Sequence, residues 1–264
     1  MKLIKIGLGI GLLIAILLSV GLYINRHSVE QIARQATLPE AKPYETTAAI
    51  NPTPQITTLV PATPSPNSTA GVTSLPKDTN LAVPFTAQAP HANWEDPYGE
   101  LCEEASVLMA ISYLTNKKIP NAAFADTALL AIKAFEDKRF GFYKDTNAEQ
   151  TAIILREHFS YKKVEVKQNP TINDIKQALA DGRVVLAPVA GREIGNPYFQ
   201  SPGPLYHMIV IKGYTDTGKF ITHDPGTRRG ADFLYDQARI MKAIHDWRTD
   251  GNIDLGKKVV IIAG

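Results

Sequence analysis

The chain has 264 residues, a formal net charge of +2 at pH 7 and a single cysteine. The near-neutral charge gives no indication of nucleic-acid binding, and one cysteine excludes an internal disulfide framework. The length allows one domain of ordinary size together with additional segments. Composition divides the chain into three unequal parts.

The first part is an uncharged apolar run over residues 6–25 (IGLGIGLLIAILLSVGLYIN). About 20 apolar residues are enough to cross a bilayer core. Lys2 and Lys5 precede the run, so the positive-inside bias favours a cytoplasmic N-terminus and an extracytoplasmic remainder. We therefore expect residues 1–25 to form a single-pass transmembrane anchor at the cell surface. A cleaved signal peptide is the alternative, although the run is long and has no clear cleavage site.

The second part, residues 26–79, is rich in Pro, Thr and Ser, and Tyr44 is the aromatic residue of its Pro-rich stretch. Such a composition buries too little apolar surface to offset the entropy of ordering the chain. We predict a disordered linker here. The third part, residues 80–264, has the length and composition of a single folded domain.

Helical periodicity dominates the first half of that domain and strand-like runs dominate the second half. The spacing of apolar residues predicts helices over residues 100–114, 124–137, 147–159 and 172–181. Apolar runs broken by Gly, Pro and Asn predict strands over residues 184–189, 207–214, 219–223 and 258–263. This order predicts an α+β fold in which a helical layer packs on an antiparallel sheet.

Cys102 stands at the start of the first predicted helix, in the run CEEAS. A helix N-terminus and a neighbouring imidazolium both lower the pKa of a thiol, so this position suits a nucleophile. Glu103 and Glu104 follow directly, and their charges oppose thiolate formation. A lone cysteine can equally be a small buried apolar residue. Cys102 alone therefore does not decide between catalysis and packing.

His207 begins the apolar strand HMIVI, and Asp224 follows the next strand, after the turn at residues 215–218. In an antiparallel hairpin the start of one strand lies beside the end of its partner, so we expect the two side chains to be neighbours. An acidic residue in that place can hold the imidazole in the tautomer that a general base needs.

Gln88 lies in the loop before the first helix. Its side-chain amide could donate to an oxyanion together with the backbone N–H of Cys102. One glutamine in a polar loop is not diagnostic by itself. The occurrence of Gln88, Cys102, His207 and Asp224 in this order is what favours a thiol hydrolase.

Four segments carry a resemblance to a known family: VPFTAQ at residues 83–88, CEEAS at 102–106, HMIVIKGY at 207–214 and DPG at 224–226. They resemble the cysteine peptidases that process bacteriocin leaders at double-glycine sites, and more closely the broad bacterial domains that are like peptidase family thirty-nine of the cysteine class. The resemblance implies a papain-like fold. It also implies that Gln88 forms the oxyanion hole, Cys102 is the nucleophile, His207 is the general base and acid, and Asp224 orients His207.

The resemblance is incomplete where Glu103 and Glu104 replace the Gly-Pro that commonly follows the nucleophile, and where the loop from Gln88 to Cys102 is longer than usual. The expected function is a membrane-tethered, extracytoplasmic cysteine peptidase that acts on a peptide or protein substrate. A peptidoglycan amidase or endopeptidase of the same fold and an inactive peptide-binding module are the alternatives. We expect no cofactor, no metal and no nucleic-acid partner, and the sequence does not indicate an oligomeric state.

Overall fold

The computed structural model describes residues 29, 32, 33, 35–45 and 74–264. Within these residues the domain combines helices with an antiparallel sheet, as the sequence predicts. The predicted membrane segment at residues 6–25 lies outside the described residues. No described helix is both long enough and apolar enough to span a membrane.

The helices precede most of the sheet in the chain. Within residues 74–264 the α-helices are α1 (Cys102–Leu114), α2 (Ala122–Phe140), α3 (Ala148–Ile153), α4 (Ile172–Ala180), α5 (Gly191–Ile194) and α6 (Gln237–Ala243). Helix α3 continues as a π-helical turn over Ile154–His158. Short 3-10 helices cover Tyr98–Glu100 and Ile253–Leu255.

The strands form an antiparallel sheet. They are β1 (Thr79–Asn80), β2 (Val164–Gln168), β3 (Val184–Ala190), β4 (Tyr206–Tyr214), β5 (Lys219–His223), β6 (Phe233–Asp236) and β7 (Val259–Ala263). Within the described part of the chain the order is β2-β7-β3-β4-β5-β6, and β1 pairs with the end of β4. Strand β4 lies inside this order, between β3 and β5, and all of its residues are buried.

Helix α1 is the central helix of the domain. Each of its residues is buried, because one face packs on β3 and β4 while α2, α3 and the π-helical turn cover the others. The Ser106 hydroxyl donates to the carbonyl oxygen of Met208 at 3.3 Å and ties α1 to β4. A helix that is enclosed in this way has a fixed position, and so does the residue at its N-terminus.

Local sequence signals define the ends of the outer helices. The Asn121 side chain accepts a hydrogen bond from the Phe124 N–H at the start of α2, and Gly141 ends that helix with a φ of 83°. Thr171 and Asp174 form a reciprocal capping box at the start of α4. These are the polar N-caps and the left-handed glycine that helix ends favour.

The fold contains elements that the sequence pattern did not predict, namely β1, β2, β6, α5 and α6. Each is short, and the strands among them lie at the borders of the sheet. Helix α2 also begins two residues before its predicted start at residue 124 and ends three residues after its predicted end at residue 137.

The structure differs from the predicted linker at residues 35–45. The Tyr44 ring packs against Tyr113 at a centroid distance of 5.3 Å, and its hydroxyl lies 3.1 Å from that of Tyr161. The backbone of Lys42 pairs in parallel with Leu81. These residues follow the surface of the domain because Tyr44 buries apolar area there. The ordered unit therefore includes part of the segment that was predicted to be a spacer.

Candidate active site

Cys102 is the first residue of α1 and is 7% exposed. The preceding residue, Leu101, provides no capping side chain. The first N–H groups of a helix have no partner inside the helix, so the start of α1 offers donors beside the sulfur. Cys102 lines a cleft of about 870 Å³ together with Gln88 and His207.

His207 is the second residue of β4, and Asp224 follows directly after β5. The Nε2 atom of His207 lies 2.8 Å from Oδ1 of Asp224, and both side chains are almost completely buried. Pairing of β4 with β5 brings the two residues together, although the register shifts between Ile211 and Gly213. The remaining ring nitrogen, Nδ1, is left for the thiol or for a leaving group.

The Asp224 carboxylate is held by further donors. Its Oδ2 accepts hydrogen bonds from the Asn196 amide at 2.8 Å and from the Tyr235 hydroxyl at 2.6 Å, and its Oδ1 accepts one from the Gly226 N–H at 3.0 Å. Burial alone would raise the pKa of Asp224, but the charge of His207 and these hydrogen bonds lower it below its ordinary value. Asp224 is therefore a fixed anion behind the imidazole.

Gln88 lies at the cleft, but its amide is already engaged. Its Nε2 donates to the carbonyl oxygens of Gly99 at 2.7 Å and Tyr98 at 3.0 Å, while its buried Oε1 has no partner within the described residues. Both amide hydrogens are thus used by the backbone. The predicted donation to an oxyanion requires one of them to leave its carbonyl oxygen.

The surroundings of Cys102 act against the thiolate. Its Sγ donates a hydrogen bond to Oε2 of Glu103 at 2.9 Å. Burial, then the charge of Glu103 and this hydrogen bond, and then the charge of Glu104 raise the pKa of Cys102 well above its ordinary value. The sequence-based expectation of a lowered thiol pKa is therefore wrong for the resting state, because desolvation and the carboxylates outweigh the helix N-terminus.

The rest of the cleft combines aromatic rings with charges of both signs. Trp94 and Tyr198 provide apolar wall, while Glu100, Asp145 and Arg228 provide charge. Burial, with a contribution from the charge of Glu100, raises the pKa of Asp145 to about 6. Such a lining suits a polar chain that also carries apolar groups.

The sequence analysis missed the supports of this site. Asn196 follows α5 and Tyr235 lies in β6, and neither element was predicted. The alternation of Phe233 and Tyr235 was a weak signal for an inward-facing Tyr235, and no signal indicated Asn196. The neighbouring His223 has a structural role, since its Nε2 bonds to the Val83 carbonyl oxygen at 2.8 Å and its Nδ1 accepts from the Asp232 N–H at 3.1 Å.

The fold and this site define a class. The arrangement of papain-like peptidases is a cysteine at the N-terminus of a central helix, in a cleft that it shares with a histidine on an antiparallel sheet, with an acceptor side chain behind the imidazole. The sequence agrees with this class. The model of the Peptidase_C39 like family matches residues 80–254, and the chain belongs to that family.

Among solved structures, the chain is similar to a protein from Bacillus anthracis that is described as a C39-like peptidase. The two share 14% sequence identity and superpose with a TM-score of 0.46, over 69% of this chain and 94% of that one. No curated protein matches the sequence.

Proposed function

We propose that this protein is a membrane-tethered, extracytoplasmic cysteine peptidase that hydrolyses peptide bonds through a thioester at Cys102. The observation that carries the proposal is the buried His207–Asp224 pair, whose imidazole lines the same cleft as the only cysteine of the chain. The Asp224 carboxylate holds the imidazole and accepts four hydrogen bonds in all. A module that only binds peptides has no need of such an arrangement. Family membership supports peptidase activity.

The reaction follows from these positions. The Cys102 proton passes to Nδ1 of His207, and the sulfur attacks the carbonyl carbon of the substrate. Asp224 stabilises the imidazolium that forms, because its Oδ1 accepts from Nε2. The imidazolium then gives its proton to the leaving nitrogen as the C–N bond breaks. Water, activated by the same ring, hydrolyses the thioester and restores the thiol.

The oxyanion that forms during attack needs donors. The backbone N–H of Cys102 at the start of α1 is one, and Gln88 becomes the second if one amide hydrogen leaves the backbone carbonyl oxygen that it binds at rest. This assignment makes Gln88 an adjustable donor. Its partners, Tyr98 and Gly99, lie in the 3-10 helix that precedes α1, and Gly99 lines the cleft.

The proposed location rests on the sequence of residues 6–25, an uncharged run that is long enough to cross a bilayer. Retention of the full chain in the membrane pellet after an alkaline carbonate wash would support an anchor. Release of a product that begins near residue 26 would show a cleaved signal peptide instead.

The activity is tested with a mixed peptide library, whose cleavage products are identified by mass spectrometry. We expect new termini with the wild type and their loss with Cys102→Ala and with His207→Ala, while Asp216→Asn on the exposed β4–β5 turn has no effect. Products obtained only from cell-wall fragments would identify the peptidoglycan amidase or endopeptidase. Binding of peptides without any hydrolysis would identify the inactive module.

A further inference from the structure

Glu103 is a buried acid in direct contact with the candidate nucleophile. Its side chain is 1% exposed, and its Oε2 accepts the Cys102 Sγ–H at 2.9 Å. Its other oxygen, Oε1, has no hydrogen-bond partner in the part of the chain that is described. His207, by contrast, directs Nε2 to Asp224. The resting thiol is therefore hydrogen-bonded to an acid that the reaction derived above does not use.

The groups around this contact are mainly acidic. The titratable and charged groups that face it are Glu104 on α1, Glu136 and Lys133 on α2, Asp145 before α3, and Tyr206 and His207 on β4. Burial, and then the charge of Glu136, raises the pKa of Glu104. The charge of Lys133 lowers that pKa, but it is the weakest of these influences. Negative charge on the sulfur is thus opposed from most directions.

The thiol and the carboxyl group are coupled through this contact. Burial and then the charge of Glu104 raise the pKa of Glu103 well above its ordinary value, while the hydrogen bond from Cys102 lowers it. The Glu103 carboxyl group in turn raises the pKa of the Cys102 thiol, through both its charge and its hydrogen bond. A change in the charge of Glu103 must therefore change the ionisation of Cys102.

We propose that Glu103 is a positioning residue that holds the Cys102 thiol protonated at rest and releases it to His207 when substrate occupies the cleft. The inference rests on the proposed peptidase function and specifies how the nucleophile is restrained before attack. In the released state the S–H proton moves to Nδ1 of His207 and the sulfur carries the electron pair that forms the C–S bond. Glu103 neither gains nor loses a proton in the cycle.

The test is the pH dependence of Cys102 alkylation by iodoacetamide, which reports the thiolate and needs no substrate. Glu103→Gln keeps the shape of the side chain but removes the charge that the carboxyl group carries when it ionises. We expect the apparent pKa of Cys102 to fall by at least about one unit, so that alkylation becomes about tenfold faster at pH values at which Glu103 of the wild type is ionised. Glu149→Gln, at an exposed position on α3, is the matched control and should leave the profile unchanged.

Two results would overturn the inference. Slower alkylation of Glu103→Gln would show that Glu103 accepts the thiol proton as a base, and an unchanged profile would show a purely structural side chain. If Glu103→Gln does not fold, as judged by its thermal transition, Glu103→Ala is measured in its place with the same expected direction.

The alkylation assay also separates this inference from the proposed function. A lowered thiol pKa in Glu103→Gln, with no hydrolysis by any variant, would support the restraint on Cys102 and contradict the peptidase. Hydrolysis by the wild type with an unchanged alkylation profile in Glu103→Gln would support the peptidase and contradict the restraint.

Discussion

Gly226 approaches the candidate catalytic histidine so closely that a larger residue fits only if a neighbouring ring moves. A Cβ atom at this position would lie 2.9 Å from Cε1 and 3.1 Å from Nε2 of His207, and 2.9 Å from Cε1 of Phe199. Its N–H also donates to Asp224. The backbone at Gly226 therefore fixes the imidazole and its carboxylate at the same time.

We predict that Gly226→Ala lowers kcat/KM by about 100-fold, because displacement of a reacting group by about 1 Å costs that much. The domain should stay folded, since the ring of Phe199 lies at the cleft and can move. Peptide hydrolysis and thermal unfolding measure the two effects. Thr217→Ala on the exposed hairpin turn is the control. Full activity of Gly226→Ala would contradict the assigned position of His207 in the reaction.

Tyr235→Phe tests the anion behind the imidazole. Since the folded-state pKa of Asp224 is below 3.8, its ionised form stabilises the fold above about pH 4, and this contribution is lost as the pH falls through the folded-state value. Removal of one donor should cost about 1.5–3 kcal/mol at pH 7. Urea unfolding at several pH values should show this difference disappear in acid. A difference that persists undiminished at pH 2 would mean that Tyr235 acts through packing instead.

The residues of the site differ in how far sequence reveals them. His207 and Asp224 could be paired because a hairpin has one simple geometry, and the structure brings them together at 2.8 Å. Asn196 could not be found, because it reaches Asp224 from a loop that follows a four-residue helix. Whether Gln88 donates to an oxyanion stays a prediction, since its amide binds backbone at rest.

Helices α1 and α2 carry a buried pair of acids at their contact. Glu104 and Glu136 are both 0% exposed, and within the described residues neither carboxyl group has a donor from any other side chain. Burial, and then the charge of Glu136, raises the pKa of Glu104, and two ionised carboxylates that are buried beside each other repel, so we expect the pair to hold a shared proton. Burial raises the pKa of Glu136 to about 8.

This pair should make stability depend on pH. The folded state binds more protons than the unfolded state between the ordinary value of 4.5 and about 8, so the free energy of unfolding falls as the pH rises through that range. Glu136→Gln should therefore be more stable than the wild type at pH 8, by about 1–3 kcal/mol, and the gain should shrink towards pH 4. Asp216→Asn, on the exposed β4–β5 turn, is the control for urea unfolding. A destabilised Glu136→Gln at pH 8 would contradict the shared proton.

The sequence predicted the elements that have a long run of apolar residues. It missed the short strands that exist because they pair with a neighbouring strand. Strand β4 is nine residues long and was predicted to within one residue of its start. Strand β2 has five residues, two of them charged, and becomes a strand through its register with β7. Short runs of this kind take their conformation from the neighbouring strand, which a local pattern does not contain.

At the scale of the whole molecule, residues 35–45 belong to the ordered unit. The Asn80 amide donates to the Pro39 carbonyl oxygen at 2.9 Å, and the Gln35 amide donates to the Ala231 carbonyl oxygen at 2.6 Å. These contacts cross a long separation in the chain, and the first of them holds Asn80, the last residue of β1. Composition predicted a spacer here because one tyrosine is a weak signal in a Pro-rich and Thr-rich segment.

Tyr44→Ala tests whether this segment contributes to the fold. The side chain is half-buried between Tyr113 and Tyr161, so its loss should lower the free energy of unfolding by about 1–2 kcal/mol. Urea unfolding of the full chain measures the change, with the exposed neighbour Glu45→Ala as control. Equal stability of Tyr44→Ala and wild type would return residues 35–45 to the spacer that composition predicts.

The account as a whole requires that an acyl group be carried by Cys102. The most direct measurement is the intact mass of the protein after rapid acid quenching during turnover of an activated peptide ester. We predict one acyl addition, located at Cys102, which is absent in Cys102→Ala and accumulates more slowly in His207→Ala. Turnover without any acyl addition, or the same addition in Cys102→Ala, would contradict the assignment of Cys102 as the nucleophile.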